Sequence, residues 1–121
     1  MIKVICVGKL KEKYLVDAID EYKKRISKYT KLEIIELVDS NIDDEVLALK
    51  KEKDSILKNI NDKDFVITLE IEGKEFSSVA FANFLDNTFI NNSNIVFIIG
   101  GSYGLSEEIK QRSNYKLSFL N

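Results

Sequence analysis

The sequence of 121 residues predicts an α/β fold: one domain, residues 1–121, with a mainly parallel five-stranded sheet and helices on both faces. Three observations predict it. Five strand-like segments alternate with helix-like ones, and repeated β-α-β units run parallel through right-handed crossovers. The run Ile95-Val96-Phe97-Ile98-Ile99 is continuously apolar, as expected for a parallel strand covered on both sides. The composition, 45% hydrophobic and 31% charged, is that of a globular chain able to bury one core.

Taken in order, Ile2 to Val7 forms the first strand and Gly8 ends it. Leu15, Ala18, Ile19, Tyr22, Ile26 and Tyr29 recur at three- and four-residue spacing, so a helix follows. Leu32 to Val38 is a second strand whose polar interruptions mark an exposed face or an edge. Asp39-Ser40-Asn41 supplies helix-start residues, and Asp43, Asp44 and Glu45 place negative charge where the helix dipole favours it. That helix carries Val46, Leu49, Lys53, Ile56 and Ile60, a thin stripe suited to a sheet edge. Phe65 to Ile71 is the third strand, ended by Glu72-Gly73-Lys74. Val79, Ala80, Phe81, Phe84, Leu85 and Phe89 give a third helix a broad face read as core, and Asn91 to Asn94 is a polar turn. Ile95 to Ile99 is the fourth strand, Glu107 to Arg112 a short helix, and Tyr115 to Phe119 the fifth strand.

Several chemistries are excluded within one chain. There is no histidine, which removes Ser-His-Asp and Cys-His catalysis and His-bearing zinc sites. The single cysteine, Cys6, lies among apolar neighbours and reads as a buried core thiol, and no metal site is expected. No signal-peptide pattern or bilayer-length apolar run is present, so a cytoplasmic protein without membrane contact is expected. The net charge of −2 argues against gripping nucleic acid by bulk electrostatics. Yet Lys9 to Lys31 holds eight basic against four acidic residues, +4, leaving −6 for the remainder. This is either a solvated helix face or a patch that approaches phosphates.

In open α/β sheets, ligands bind beyond the carboxyl ends of the strands. Three loops meet there: Gly8-Lys9, Leu69 to Gly73, and Gly100-Gly101-Ser102-Tyr103-Gly104-Leu105. The last has neither dinucleotide nor phosphate-loop spacing. By itself it reads either as a tight strand-to-helix turn or as a wall that lets backbone approach a ligand.

The motifs together resemble one family. Val7-Gly8-Lys9-Leu10-Lys11-Glu12-Lys13-Tyr14, Glu21-Tyr22-Lys23-Lys24-Arg25, Thr68-Leu69-Glu70-Ile71-Glu72-Gly73-Lys74, Phe97 to Leu105 and Arg112 to Phe119 are similar, in order, to the ribosomal large-subunit methyltransferase H proteins of the SPOUT superfamily. The resemblance implies transfer of a methyl group from S-adenosylmethionine to N3 of a pseudouridine in large-subunit (23S) rRNA. It implies a homodimer acting on the assembled ribosome. It also implies that Leu69, Gly100 and Phe119 contact the cofactor, and makes Lys23, Lys24 and Arg25 candidates for rRNA phosphates. It assigns no catalytic residue, and Glu70 and Glu72 read as turn carboxylates.

The family pattern continues beyond the fifth strand. The resemblance therefore implies a domain incomplete at its C-terminus, with the knot-forming segment and most of the further cofactor loop that Phe119 opens missing. The chain is accordingly expected to be monomeric or weakly dimeric. The alternatives to an active enzyme are, from a different class, a non-catalytic remnant with the fold but little or no cofactor binding, and third, an unrelated flavodoxin-like binding protein.

Overall fold

Short runs of Ile and Val favour extended backbone, because branched side chains pack well on a pleated surface and are stiff in a helix. Such runs build the sheet here. A computed structural model describes residues 1–8, 31–39, 43–75, 84, 87–88, 92–101 and 104–118, of which 70–75 and 118 are described by their backbone. The elements are β1 (Ile2–Val7), β2 (Leu32–Leu37), α1 (Glu45–Leu57), β3 (Phe65–Glu75), β4 (Ile95–Ile99), α2 (Glu107–Arg112) and β5 (Tyr115–Ser118). The five strands form one sheet in the order β2-β1-β4-β3-β5, and every pairing is parallel.

Side chains alternate between the two faces, so neighbouring strand residues enter different cores. One core gathers Ile2, Val4, Cys6, Ile67, Ile95, Phe97, Ile99 and Leu117. The other gathers Ile5, Val7, Val66, Val96 and Ile98 with Ile56, Leu105 and Ile109. All five β4 residues are buried, as a strand covered on both sides requires. Cys6 is buried, in keeping with a core thiol. On the first face Phe84, at a helical position, packs against the core and meets Tyr115 in a tilted ring contact with centroids 4.5 Å apart. On the second, α1 and α2 supply Ile56 and Ile109. The expected first helix, and most of the expected third, lie outside the described residues.

The structure corrects the second helix. Its N-cap is Asp44, not a residue of the 39–41 segment: extended at φ −77°, ψ 107°, Asp44 accepts hydrogen bonds from the Val46 and Leu47 amides at 3.0 and 3.2 Å. Only Glu45 of the acidic trio therefore sits in the first turn. The buried face is Ala48, Glu52 and Ile56, whereas the expected stripe member Val46 is 78% exposed. α1 packs along the edge strand β2, as expected, and its Ile56 joins the second core. Lys53 instead bridges α1 to α2, its Nζ 3.3 Å from Glu108 Oε1 and 3.4 Å from Asp54 Oδ1. The Glu108 hydrogen bond, aided by Asp54, holds the Lys53 ammonium above the ordinary lysine value against a smaller lowering by desolvation. Replacing Asp44 with Ala strands two amides at the start of α1. The expected loss is about 1 kcal/mol, read as a lower urea midpoint at unchanged slope.

Two strand ends also differ from expectation. β2 stops at Leu37, and Val38, beyond it, is 91% exposed. β3 runs on to Glu75, but its pairing with β5 slips: Leu69 and Lys74 both lie opposite Leu117. Residues 70–73 are thus an excursion between two paired stretches, where a terminating turn was expected.

Candidate ligand site at the carboxyl ends of the strands

Register determines what meets at the top of the sheet. Val7 lies opposite Leu37, Cys6 opposite Ile99, and Ile99 opposite Leu69. β1, β3 and β4 therefore reach their carboxyl ends nearly level, with Gly8, the 70–73 excursion and Gly100 following directly. Leu69, half-buried, packs on the first core, beside the strand that leads into Gly100. The register thus places Leu69 next to the residue that precedes Gly100. Phe119, Lys23, Lys24 and Arg25 lie outside the described residues.

The glycines act for different reasons. Gly8 has φ 88° and Gly104 φ 75°, dihedrals that residues with a Cβ rarely adopt. Gly8 uses its turn to donate its N–H to the Leu37 carbonyl at 2.7 Å, tying β1 to β2 beyond their last pair. Gly100 has ordinary dihedrals but no room. A Cβ there would stand 2.6 Å from the Gly104 carbonyl oxygen. Gly101 and Gly104 form an isolated bridge, the Gly104 N–H donating to the Gly101 carbonyl at 3.0 Å, so the turn closes on itself. Gly101 in turn lies over β1, where a Cβ would come within 3.0 Å of Val7 Cγ1. Leu105 is buried in the second core, and Ser106 caps α2 by accepting the Ile109 amide at 3.3 Å. The turn is thus pinned on both sides.

Sequence reasoning missed one member of this cluster. Asp39 was read as a helix-start residue; it lies instead two residues past β2, with its carboxylate against both glycine loops. Its Oδ2 is 3.8 Å from where a Gly8 Cβ would stand, and its Oδ1 3.3 Å from that of Gly101. Among the described residues, Asp39 Oδ1 is buried without a hydrogen-bond partner. The available signal was positional: an acid just past an edge strand that pairs with the strand ending at Gly8.

The resulting surface has an apolar side chain (Leu69), close-approach backbone (Gly100 to Gly101) and one carboxylate (Asp39). Among the described residues no group of three or more His, Cys, Asp or Glu is gathered for a metal ion. Such a surface suits a small organic ligand with an apolar ring and polar edges, held by contact and backbone hydrogen bonds. Among the described residues, no helix is long and apolar enough to cross a membrane.

A family model described as "Predicted SPOUT methyltransferase" matches residues 1–121. A Clostridium tetani protein named Ribosomal RNA large subunit methyltransferase H is 52% identical over 125 aligned positions, covering 98% of this chain and 79% of that protein. Proteins of the same name from Clostridium botulinum strains Alaska E43 and Kyoto are 51% and 49% identical, with the same coverage.

Proposed function

The chain belongs to the SPOUT methyltransferase family, and from that premise we propose that it is an S-adenosylmethionine-dependent enzyme that methylates N3 of a pseudouridine in large-subunit rRNA. The observation that carries this reading is the placing of Leu69 opposite Ile99, which leads into a glycine turn at level strand ends, in a chain about half identical to proteins named for rRNA methylation.

The residues present fit the cofactor. A ring edge placed over Gly100 meets backbone rather than a side chain, since that position has no space for a Cβ. Leu69 offers an apolar surface beside it. The 70–73 excursion takes its backbone out of the paired stretches, leaving amides and carbonyls for polar edges. Phe119 completes this wall in the proposal, and Lys23, Lys24 and Arg25 meet rRNA phosphates. When bound, S-adenosylmethionine supplies an electrophilic methyl group on a sulfonium sulfur. The task left to the chain is to hold the target nitrogen in line and exclude water, which is positioning rather than covalent catalysis.

Titration calorimetry with S-adenosylmethionine, followed by transfer of labelled methyl groups to unmodified ribosomes, tests the proposal. Saturable binding is expected, with label confined to one pseudouridine of large-subunit rRNA by mass spectrometry. Absence of binding, or label at another nucleotide, would overturn it. Binding without transfer would favour a non-catalytic protein.

A further inference from the structure

The Asp39 carboxylate is a further polar group at the carboxyl ends that the reading above does not use. It reaches across from β2 to the two glycine loops, so it touches the residue next to Gly100 from the side opposite Leu69. Among the described residues, it lies against Gly8 from the end of β1 and Gly101 from the turn after β4. Neither carries a titratable side chain. Among the described residues no lysine, arginine or chain terminus pairs with Asp39.

A buried carboxylate oxygen left without a donor is costly, and native structures keep such groups where something else supplies the donor. The two described residues against which the carboxylate rests, Gly8 and Gly101, present backbone and no side chain to it. A planar ligand edge carrying an N–H fits this description: one donor, presented between two loops that lack Cβ atoms. The target of the proposed reaction carries such a group, an imide N–H whose proton must leave before its nitrogen can be alkylated.

We infer that Asp39 is the catalytic base of this site, accepting a hydrogen bond from the substrate's imide N–H and then taking its proton. This inference rests on the proposed function. In the step, the N–H bond breaks and an O–H bond forms at the carboxylate. The electron pair stays on the ring, whose nitrogen and flanking carbonyl oxygens take the negative charge, while Asp39 becomes neutral. The proton later passes to water. A positioned base contributes about 100- to 10,000-fold to such reactions.

The test compares the wild type with Asp39→Asn and Asp39→Ala. Transfer to unmodified ribosomes should fall by roughly 100-fold or more in both variants near neutral pH. Rates in the variants should climb with pH, as hydroxide replaces the lost base, and formate should partly restore Asp39→Ala alone. Calorimetry should give unchanged S-adenosylmethionine binding, which also reports that the variants are folded. A second measurement needs no turnover: nucleoside binding by NMR titration. The wild type should prefer pseudouridine over N3-methylpseudouridine by roughly tenfold, the share of a hydrogen bond to a charged group, and Asp39→Asn should lose that preference. Asp39→Asn turning over within threefold of wild type, or a wild type indifferent to N3 methylation of the nucleoside, would overturn the assignment. A wild type that discriminates the two nucleosides yet binds no S-adenosylmethionine would instead sink the proposed function and leave Asp39 as the acceptor.

Discussion

Gly100→Ala is expected to abolish S-adenosylmethionine binding at concentrations that saturate the wild type, and to lower the melting temperature by several degrees. The added methyl would lie 2.6 Å from the Gly104 carbonyl oxygen and 2.7 Å from its carbon. Both are backbone atoms of a turn held by the Gly101–Gly104 bridge and by buried Leu105, so neither can swing aside as a flexible side chain would. The turn must shift as a unit. Overpacking of this kind costs typically 1–3 kcal/mol, about the stabilisation of several hydrogen bonds. It also alters the edge on which the ligand is proposed to rest. Gly104→Ala separates the two effects. Nothing lies within 4 Å of its added Cβ, but φ is 75°, so that variant bears dihedral strain of about 1–2 kcal/mol without filling the cradle. Calorimetry and urea denaturation of both variants decide the matter. A Gly100→Ala protein that binds like the wild type would place the cofactor wall elsewhere.

The contrast between those glycines also shows what was legible in the sequence. The glycine turn was visible as a segment, but its two physical reasons, space at Gly100 and dihedral at Gly104, depend on how the turn folds back. β1, β4 and α2 have the expected bounds because each carries a local signature: an apolar run ended by glycine, a continuous apolar run, and a Ser106 cap followed by two acids. The start of α1 is not legible locally because six of the seven residues from Asp39 to Glu45 are acids, Ser or Asn that could each cap or open a helix; only the geometry at Asp44 selects among them. Its buried face was missed because Glu52 is polar by identity and Val46 apolar, while tertiary packing buries the first and exposes the second. Asp39 belongs to the same class of miss. Its significance comes from a side-by-side pairing of β1 and β2, residues far apart in the chain, which places its carboxylate on Gly8 and Gly101.

Ile98→Ala carries the largest expected cost in stability. Ile98 is fully buried in β4, opposite Ile5 of β1 and Thr68 of β3, and it shares a core with Ile56, Leu105 and Ile109. Truncation removes the transfer free energy of the lost carbons and leaves a cavity between strands that cannot close without breaking their ladders, so about 2–5 kcal/mol is expected. A domain of this length has only about 6–18 kcal/mol in total. Ile98→Val should cost about 0.5–1.5 kcal/mol, and Val46→Ala, at a position 78% exposed, should stay within about 0.5 kcal/mol. Urea midpoints at constant slope check all three. The same variant probes the link between core and site. Ile98 lies two residues before Gly100, and the cavity would open beneath Leu105, which anchors the far side of the glycine turn. If the turn is the ligand wall, binding selects the folded state, and ligand at a hundred times its dissociation constant restores about 2.7 kcal/mol. Ile98→Ala should therefore regain much of its lost stability with S-adenosylmethionine present. A midpoint that stays fixed while ligand is added would show that this surface does not hold the cofactor.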